Sequence, residues 1–79
     1  MLNKQQQETT IIAMEEMAEL TQVLSKAMRF GYTPSDTGKR IVQEMGDVRL
    51  LLKLLQNTFG IEEEELNFAM ENKKSKLMA

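Results

Sequence analysis

Two pairs of acidic residues with the same three-residue spacing are the part of this sequence best suited to chemistry. Glu16 and Glu19 form the first pair, and Glu44 and Asp47 form the second. Residues three apart share one face of an α-helix, so each pair directs two carboxylates the same way. Each pair also falls within an apolar stripe, whereas helix-surface carboxylates normally occupy the polar side of an amphipathic helix. Four carboxylates in a low-dielectric site repel one another unless a cation neutralises them, so the pattern predicts a metal site.

The two stripes extend over several turns of the predicted helices. They comprise Ile12, Glu16, Glu19 and Val23 in the first helix, and Glu44, Asp47, Leu51 and Leu54 in the second. A single acid pair is more often a solvated face, but two pairs on helices joined by a short turn can face each other. Gly46, inside the second pair, costs about 1 kcal/mol relative to alanine in a helix interior. It indicates a close approach by a backbone or a ligand, or alternatively a tight helix crossing.

The composition limits both the metal and the setting. The sequence has no cysteine and no histidine, so any metal must be a hard cation held by oxygen, such as Mg²⁺, Mn²⁺ or Ca²⁺. The net charge of −2 gives no electrostatic basis for binding a nucleic-acid duplex. No apolar run approaches the ~20 residues of a membrane span, and the N-terminus lacks a signal-peptide hydrophobic region. We therefore expect a cytoplasmic protein without a membrane partner.

Hydrophobic periodicity predicts a single all-α domain over residues 1–79, in which an antiparallel helical hairpin precedes a shorter third helix. The first helix is predicted from Glu8 to Phe30, after a frayed start. The second helix begins within residues 33–36, where threonine or serine can serve as the cap, and it ends at Gly60. The third follows with an acidic first turn at residues 62–65, which suits a helix N-terminus. No segment reads as a strand.

Residues 50–55 predict that the chain associates with other copies. Their sequence, Leu-Leu-Leu-Lys-Leu-Leu, is apolar on nearly all sides, and such a helix is buried on more than one side. One chain of 79 residues can hardly cover it, and a core this small seldom supplies more than about 3–5 kcal/mol. The expected assembly is a homodimer or homotetramer forming a multi-subunit helix bundle.

The acid pairs and their flanks resemble the all-α nucleoside triphosphate pyrophosphohydrolases of the MazG type, especially the short proteins common in phages. The resemblance covers roughly residues 12–61, and the spacing together with the flanks makes it fairly specific. It implies a helical oligomer whose four acids hold Mg²⁺, or Mn²⁺, in contact with the triphosphate of a nucleotide. The reaction it implies is attack by water, which releases a nucleoside monophosphate and pyrophosphate. The matching segments are Ala18-Glu19-Leu20, Leu24-Ser25-Lys26 followed by Arg29, and Glu44-x-x-Asp47-Val48.

Four residues are predicted to bind the substrate phosphates. Lys26 lies seven residues beyond Glu19 on the same stripe, and the guanidinium of Arg29 suits bidentate phosphate contact. Asn72 and Lys73 resemble the Asn/Lys/Arg element that members of this family carry after their third helix. A basic tail that favours a helix C-terminus is the alternative interpretation of the lysines in this last segment.

The catalytic and metal-binding residues implied by the resemblance are Glu16, Glu19, Glu44 and Asp47. Glu15 points about 100° away from the first pair, which favours a solvated residue over a base for the attacking water. The predicted activity is Mg²⁺-dependent hydrolysis of ribo- or deoxyribonucleoside triphosphates, with removal of non-standard nucleotides as the expected role. Phosphoribosyl-ATP pyrophosphatase, which shares the fold and the acid pattern, is one alternative. A non-catalytic helical association module is the other.

Overall fold

The chain folds into three α-helices and contains no strand. The computed structural model describes all residues from 1 to 79. Helix α1 spans Lys4–Phe30, α2 spans Thr37–Phe59 and α3 spans Glu63–Leu77. The predicted all-α class, with two long helices and a shorter third, is confirmed. None of the three carries an apolar stretch of the length that crossing a bilayer requires.

Helix α1 begins one turn earlier than predicted. The side chain of Asn3 accepts a hydrogen bond from the backbone N–H of Gln6 at 2.8 Å, and the Gln6 side chain accepts one from the backbone N–H of Asn3 at 3.0 Å. This reciprocal capping box satisfies two of the amide groups that a helix start leaves unpaired. The prediction of a frayed start before Glu8 was therefore wrong.

The connection between α1 and α2 depends on two glycines. Gly31 ends α1 at a φ of +99°, and its N–H donates to the Ala27 carbonyl, a backbone conformation that glycine adopts at little cost. Gly38 is buried at the start of α2, where an added Cβ would lie 2.8 Å from the Tyr32 hydroxyl. Asp36 occupies the N-cap position without a side-chain hydrogen bond, so neither predicted cap residue performs that role.

The chain turns again at Gly60, which ends α2 in the left-handed conformation at a φ of +64°. Ile61 N–H then donates to the Gln56 carbonyl at 2.9 Å, as in a Schellman turn. Helix α3 starts with a capping box between Glu62 and Glu65. The acidic run at residues 62–65 thus caps a helix and favours its positive end, as expected.

Helices α1 and α2 pack against each other as an antiparallel hairpin. Helix α3 is joined to α2 at its first residue, where Glu63 accepts a hydrogen bond from the Gln56 side chain at 2.7 Å, and its remaining length packs on neither helix. The radius of gyration is 15.2 Å, against about 12 Å for a compact domain of this length. Only three residues are fully buried, namely Ala13, Val23 and Gly38. The single chain therefore has a narrow seam of packed side chains and no extensive core.

Val23 and Leu51 of the predicted stripes lie in the seam between α1 and α2, but Ile12 and Leu54 do not. Ile12 is 47% exposed and Leu54 is 43% exposed, so neither belongs to it. Their place is taken by Ala13 on α1 and Leu55 on α2, which are less exposed. The apolar seam comprises Ala13, Leu20, Val23 and Ala27 of α1, and Ile41, Val48, Leu51 and Leu55 of α2.

Alanine in place of Gly46 is expected to stabilise the chain by about 1 kcal/mol, the difference in helix propensity. An added Cβ at Gly46 meets no atom within 4 Å, so the close approach or tight crossing expected from the sequence is not found within the chain. Alanine in place of Gly60 is expected to destabilise it by about 1–2 kcal/mol, because the left-handed conformation strains a side chain. Urea unfolding of both variants measures the difference. A loss of stability in Gly46→Ala would contradict this account and indicate a neighbour packed there.

Candidate metal centre

The hairpin brings three of the four predicted ligands together. One carboxylate oxygen from each of Glu16, Glu44 and Asp47 lies within 4.8 Å of the others, and all three residues are half-buried. The two acid pairs are nearly equidistant in sequence from Tyr32, in the middle of the turn. Two helices that fold back at that point therefore place the pairs at the same level.

The fourth acid, Glu19, lies at the solvent edge of this group. Its side chain is exposed, and it is not among the three whose oxygens converge. Its charge nevertheless acts on both Glu16 and Glu44, and it is within hydrogen-bonding reach of each when a proton is shared. Glu19 is placed to complete the set from the open side.

Two oxygen atoms in the group have no partner. Glu16 Oε2 and Glu44 Oε2 are inaccessible to solvent and form no hydrogen bond. Buried polar atoms in folded proteins nearly always have a partner, so each such exception needs an explanation. A cation between the carboxylates would satisfy both atoms. The hydroxyl oxygen of Thr10 also lacks a partner, so what distinguishes the two glutamate oxygens is that they belong to a converging carboxylate group.

The electrostatics of the group indicate the same need. Burial raises the pKa of Glu16, and the charges of Glu19, Asp47 and Glu44 raise it further. Burial likewise raises the pKa of Glu44, with further contributions from Glu19 and Asp47, while the charge of Arg40 opposes them more weakly. The chain itself thus leaves this cluster under-neutralised. Mg²⁺, which prefers oxygen ligands and keeps several of its waters, fits such a donor set.

A pocket lined by two cations and by the carboxylate of Asp36 lies towards the turn. It has a volume of about 170 Å³, and Lys26 and Arg40 both line it, with Phe30 beside them. Arg40 precedes Glu44 by four residues, one helical turn, so the pocket follows directly from the acid group. The sequence analysis missed Arg40. Its position one turn before an acid was the available signal.

The other predicted phosphate ligands are placed less favourably. Arg29 borders a different groove, formed entirely by α1 residues on its outer side, and its guanidinium lies 5.2 Å from the centre of the Phe30 ring. Asn72 and Lys73 are exposed on α3, which does not pack against the hairpin. Of the four, only Lys26 shares the pocket with Arg40, and Lys26 also lines the groove that Arg29 borders. The roles of Arg29, Asn72 and Lys73 stay predictions.

Comparisons with known proteins identify no relative. No protein family matches the chain, and neither does any curated protein or solved structure. A functional assignment therefore depends on the geometry described above and on the sequence resemblance.

Without a divalent cation, the folded chain should become more stable as the pH falls from about 7 towards about 5. The folded-state pKa values of Glu16 and Glu44 are raised above the ordinary 4.5, so protonation favours the folded state. This stabilisation of the folded chain is fully present below the ordinary pKa of a glutamate. It is lost as the pH rises through the raised pKa values of the two glutamates. Melting temperatures in a chelator across this range measure the effect.

Glu44→Gln provides the matched variant for this pH dependence. It removes one charge from the cluster, so it should raise the melting temperature at pH 7 in a chelator and flatten the pH dependence. Glu15→Gln, outside the cluster, serves as the control and should change neither. Equal pH dependence in wild type and Glu44→Gln would contradict the proposed repulsion.

Proposed function

We propose that this chain is a Mg²⁺-dependent nucleoside triphosphate pyrophosphohydrolase that forms a nucleoside monophosphate and pyrophosphate. The observation that carries the proposal is the pair of unpartnered, buried oxygens of Glu16 and Glu44 within a converging carboxylate group. The resemblance to MazG-type enzymes supports the same reaction. Clearance of non-standard nucleotides in the cytoplasm is the role we attach to it.

In this proposal Glu16, Glu44 and Asp47 hold Mg²⁺, and Glu19 contributes from the open edge. When bound, Mg²⁺ neutralises charge on the phosphate oxygens and provides bound water at the anhydride. The carboxylates fix the position of the cation against the hairpin. Because the acids lie on two helices, the site forms only when the hairpin closes.

Lys26 and Arg40 bind the phosphate chain in the adjacent pocket. Both cations line the space next to the acids, and charged hydrogen bonds to phosphate oxygens are about twice as strong as neutral ones. The Phe30 ring borders the same pocket and offers a face on which a base can stack, as aromatic rings do in nucleic-acid sites. In this proposal the phosphate chain extends from the acid group into this pocket.

The main alternative is a non-catalytic association module, and one observation favours it. Most large apolar side chains of this chain are exposed, which indicates association with other chains whether or not there is catalysis. An inert module, however, has no use for charged residues at these seam-side positions, because neutral glutamine would remove the repulsion there. Phosphoribosyl-ATP pyrophosphatase activity is a closer alternative, because it differs from the proposed activity only in its substrate.

Glu44→Gln should lower kcat/KM for pyrophosphate release by at least about 100-fold, since loss of a metal ligand removes several kcal/mol of transition-state stabilisation. Product analysis over a panel of nucleoside triphosphates, including phosphoribosyl-ATP, measures this. Pyrophosphate release that persists in the variant would refute the site assignment. Glu15→Gln is the control and should retain full activity.

Mg²⁺ binding can be measured separately from turnover. A ligand that binds the folded state raises its melting temperature, so millimolar Mg²⁺ should stabilise the wild type and not Glu44→Gln. If neither Mg²⁺ nor Mg²⁺ with nucleotide shifts the wild-type melting temperature, the association module is the better interpretation.

Arg40→Ala and Lys26→Ala should each raise KM by about 10- to 100-fold, the range expected for a lost hydrogen bond to a charged group. Steady-state kinetics with the best substrate of the panel measure the effect. Arg49→Ala is a matched control, because Arg49 lies on the same helix but lines a separate groove with Val42, Met45 and Gly46. An equal effect of Arg49→Ala would contradict the assignment of the phosphate pocket.

A further inference from the structure

The pocket at the turn contains a carboxylate that has no role in phosphate binding. Asp36 lines this pocket beside the cations Lys26 and Arg40. It occupies the N-cap position of α2, where an aspartate side chain normally accepts a hydrogen bond from the first turn of the helix. The side chain of Asp36 forms no such bond. Its carboxylate oxygens are therefore able to accept hydrogen bonds from a ligand in the pocket.

Asp36 lies at the far end of a row of charged residues on α2. Asp36, Arg40 and Glu44 are four residues apart, so they follow one another on one face of the helix at steps of about 6 Å. The backbone N–H of Arg40 donates to the Asp36 carbonyl at 3.2 Å, which places Asp36 in the first turn. The rise from Glu44 to Asp36 is thus about 12 Å, on the scale of the span from the phosphate chain to the base in an extended nucleotide.

A carboxylate beside two phosphate-binding cations limits which part of a nucleotide can lie next to it. Like charges repel, so a phosphate group is disfavoured at Asp36. An ionised carboxylate accepts hydrogen bonds and donates none, so its partner must present N–H or O–H groups. In the proposed binding mode the phosphates lie towards Glu44 and Arg40, which leaves the base or the sugar for Asp36.

The Phe30 ring favours the base over the sugar. Phe30 lines the same pocket, and an aromatic ring binds a planar base by stacking, whereas a sugar has no flat face to offer. The guanidinium of Arg29 lies 5.2 Å from the centre of the Phe30 ring, but Arg29 lines a different groove. The pocket volume of about 170 Å³ is below the roughly 300–1,000 Å³ of sites that enclose a drug-sized ligand. It therefore accommodates one part of a nucleotide.

We propose that Asp36 recognises guanine, so that guanosine and deoxyguanosine triphosphates are the preferred substrates. This inference rests on the proposed function. The Watson–Crick edge of guanine presents two neighbouring donors, N1–H and the 2-amino group, which match the two oxygens of one carboxylate. Adenine and cytosine place an acceptor beside their amino group, and uracil flanks its single N–H with two carbonyls. Each of these bases directs an acceptor at the carboxylate and loses a hydrogen bond.

Inosine triphosphate (ITP) isolates the 2-amino group, because its base keeps N1–H and lacks that group. We expect the wild type to hydrolyse GTP with a kcat/KM about 10- to 100-fold higher than that for ITP, the range of a hydrogen bond to a charged group. Asp36→Ala should abolish this preference. Any effect of the lost charge on phosphate binding is common to both substrates and cancels in their ratio. Steady-state kinetics of pyrophosphate release with Mg²⁺ measure the ratio.

Asp36→Asn should produce a new preference, which loss of a structural role would not. Asparagine is as good an N-cap residue as aspartate, and its amide offers an acceptor on one arm and donors on the other. Xanthine has N1–H beside a carbonyl, where guanine has the 2-amino group, so its edge matches an amide. The variant should therefore hydrolyse xanthosine triphosphate about 10-fold faster than GTP in kcat/KM, and the wild type should show the reverse.

Arg40→Ala is the matched control from the same pocket. It should raise KM for all three triphosphates alike and leave their ratios unchanged. Equal kcat/KM of the wild type for GTP and ITP would overturn the proposal, and so would a GTP preference that persists in Asp36→Ala. A wild-type preference that depends on the 2′-hydroxyl and not on the base would also overturn it, and would assign Asp36 to the sugar.

Base recognition can be measured separately from hydrolysis. Isothermal titration calorimetry with GMP and IMP reports the affinity for each base without turnover. If the chain hydrolyses nucleotides but binds GMP and IMP equally, recognition by Asp36 is refuted and the proposed function stands. If it hydrolyses no nucleotide, yet the wild type prefers GMP and Asp36→Ala does not, the proposed function is refuted and recognition by Asp36 stands.

Discussion

The antiparallel packing of α1 on α2 is the constraint on which the rest of this structure depends. Packing of the apolar seam brings together two helix faces that also carry carboxylates. The seam residues include Ala13, Val23 and Leu51. The packing therefore works against the charge repulsion of Glu16 and Glu44, whose pKa values it raises. A short chain with three fully buried residues has little stability with which to hold such a group. The charged carboxylates lower the stability of the fold at this position. That loss of stability is the physical reason to interpret them as functional.

Much of this arrangement was predictable because it follows from periodicity and from distance along the chain. Long runs of three- and four-residue spacing specify helices well. Equal separation of the two acid pairs from the turn places them at the same level of an antiparallel hairpin. Val23 and Leu51 were predicted correctly, whereas Ile12 and Leu54 were each assigned to the seam in place of the next residue, because neighbouring positions on a helix differ by only 100°. A leucine-rich segment such as 50–55 contains one polar position, Lys53, which is too little to show which of its leucines face the seam.

Other features depend on contacts that periodicity does not encode. The start of α1 is decided by a reciprocal pair of hydrogen bonds between Asn3 and Gln6, which the glutamine-rich composition obscured. Arg40 becomes relevant only when the turn brings it beside Lys26 in one pocket. The position of α3, and with it Asn72 and Lys73, follows from the left-handed turn at Gly60 and from the hydrogen bond that the Gln56 side chain donates to Glu63. Residue type alone could not place them.

The acids of the cluster are positioned by their distance from the seam. Glu16 follows Ala13 by three residues and Glu44 follows Ile41 by three, so both lie on one surface of the hairpin, where they meet. Any ligand that binds the folded chain and not the unfolded chain stabilises the closed hairpin by mass action. In the proposed function that ligand is the cation, and it binds the same group whose charge repulsion opposes the packing of the seam. The charge that destabilises the hairpin by itself is therefore the charge that couples closure of the hairpin to the cation.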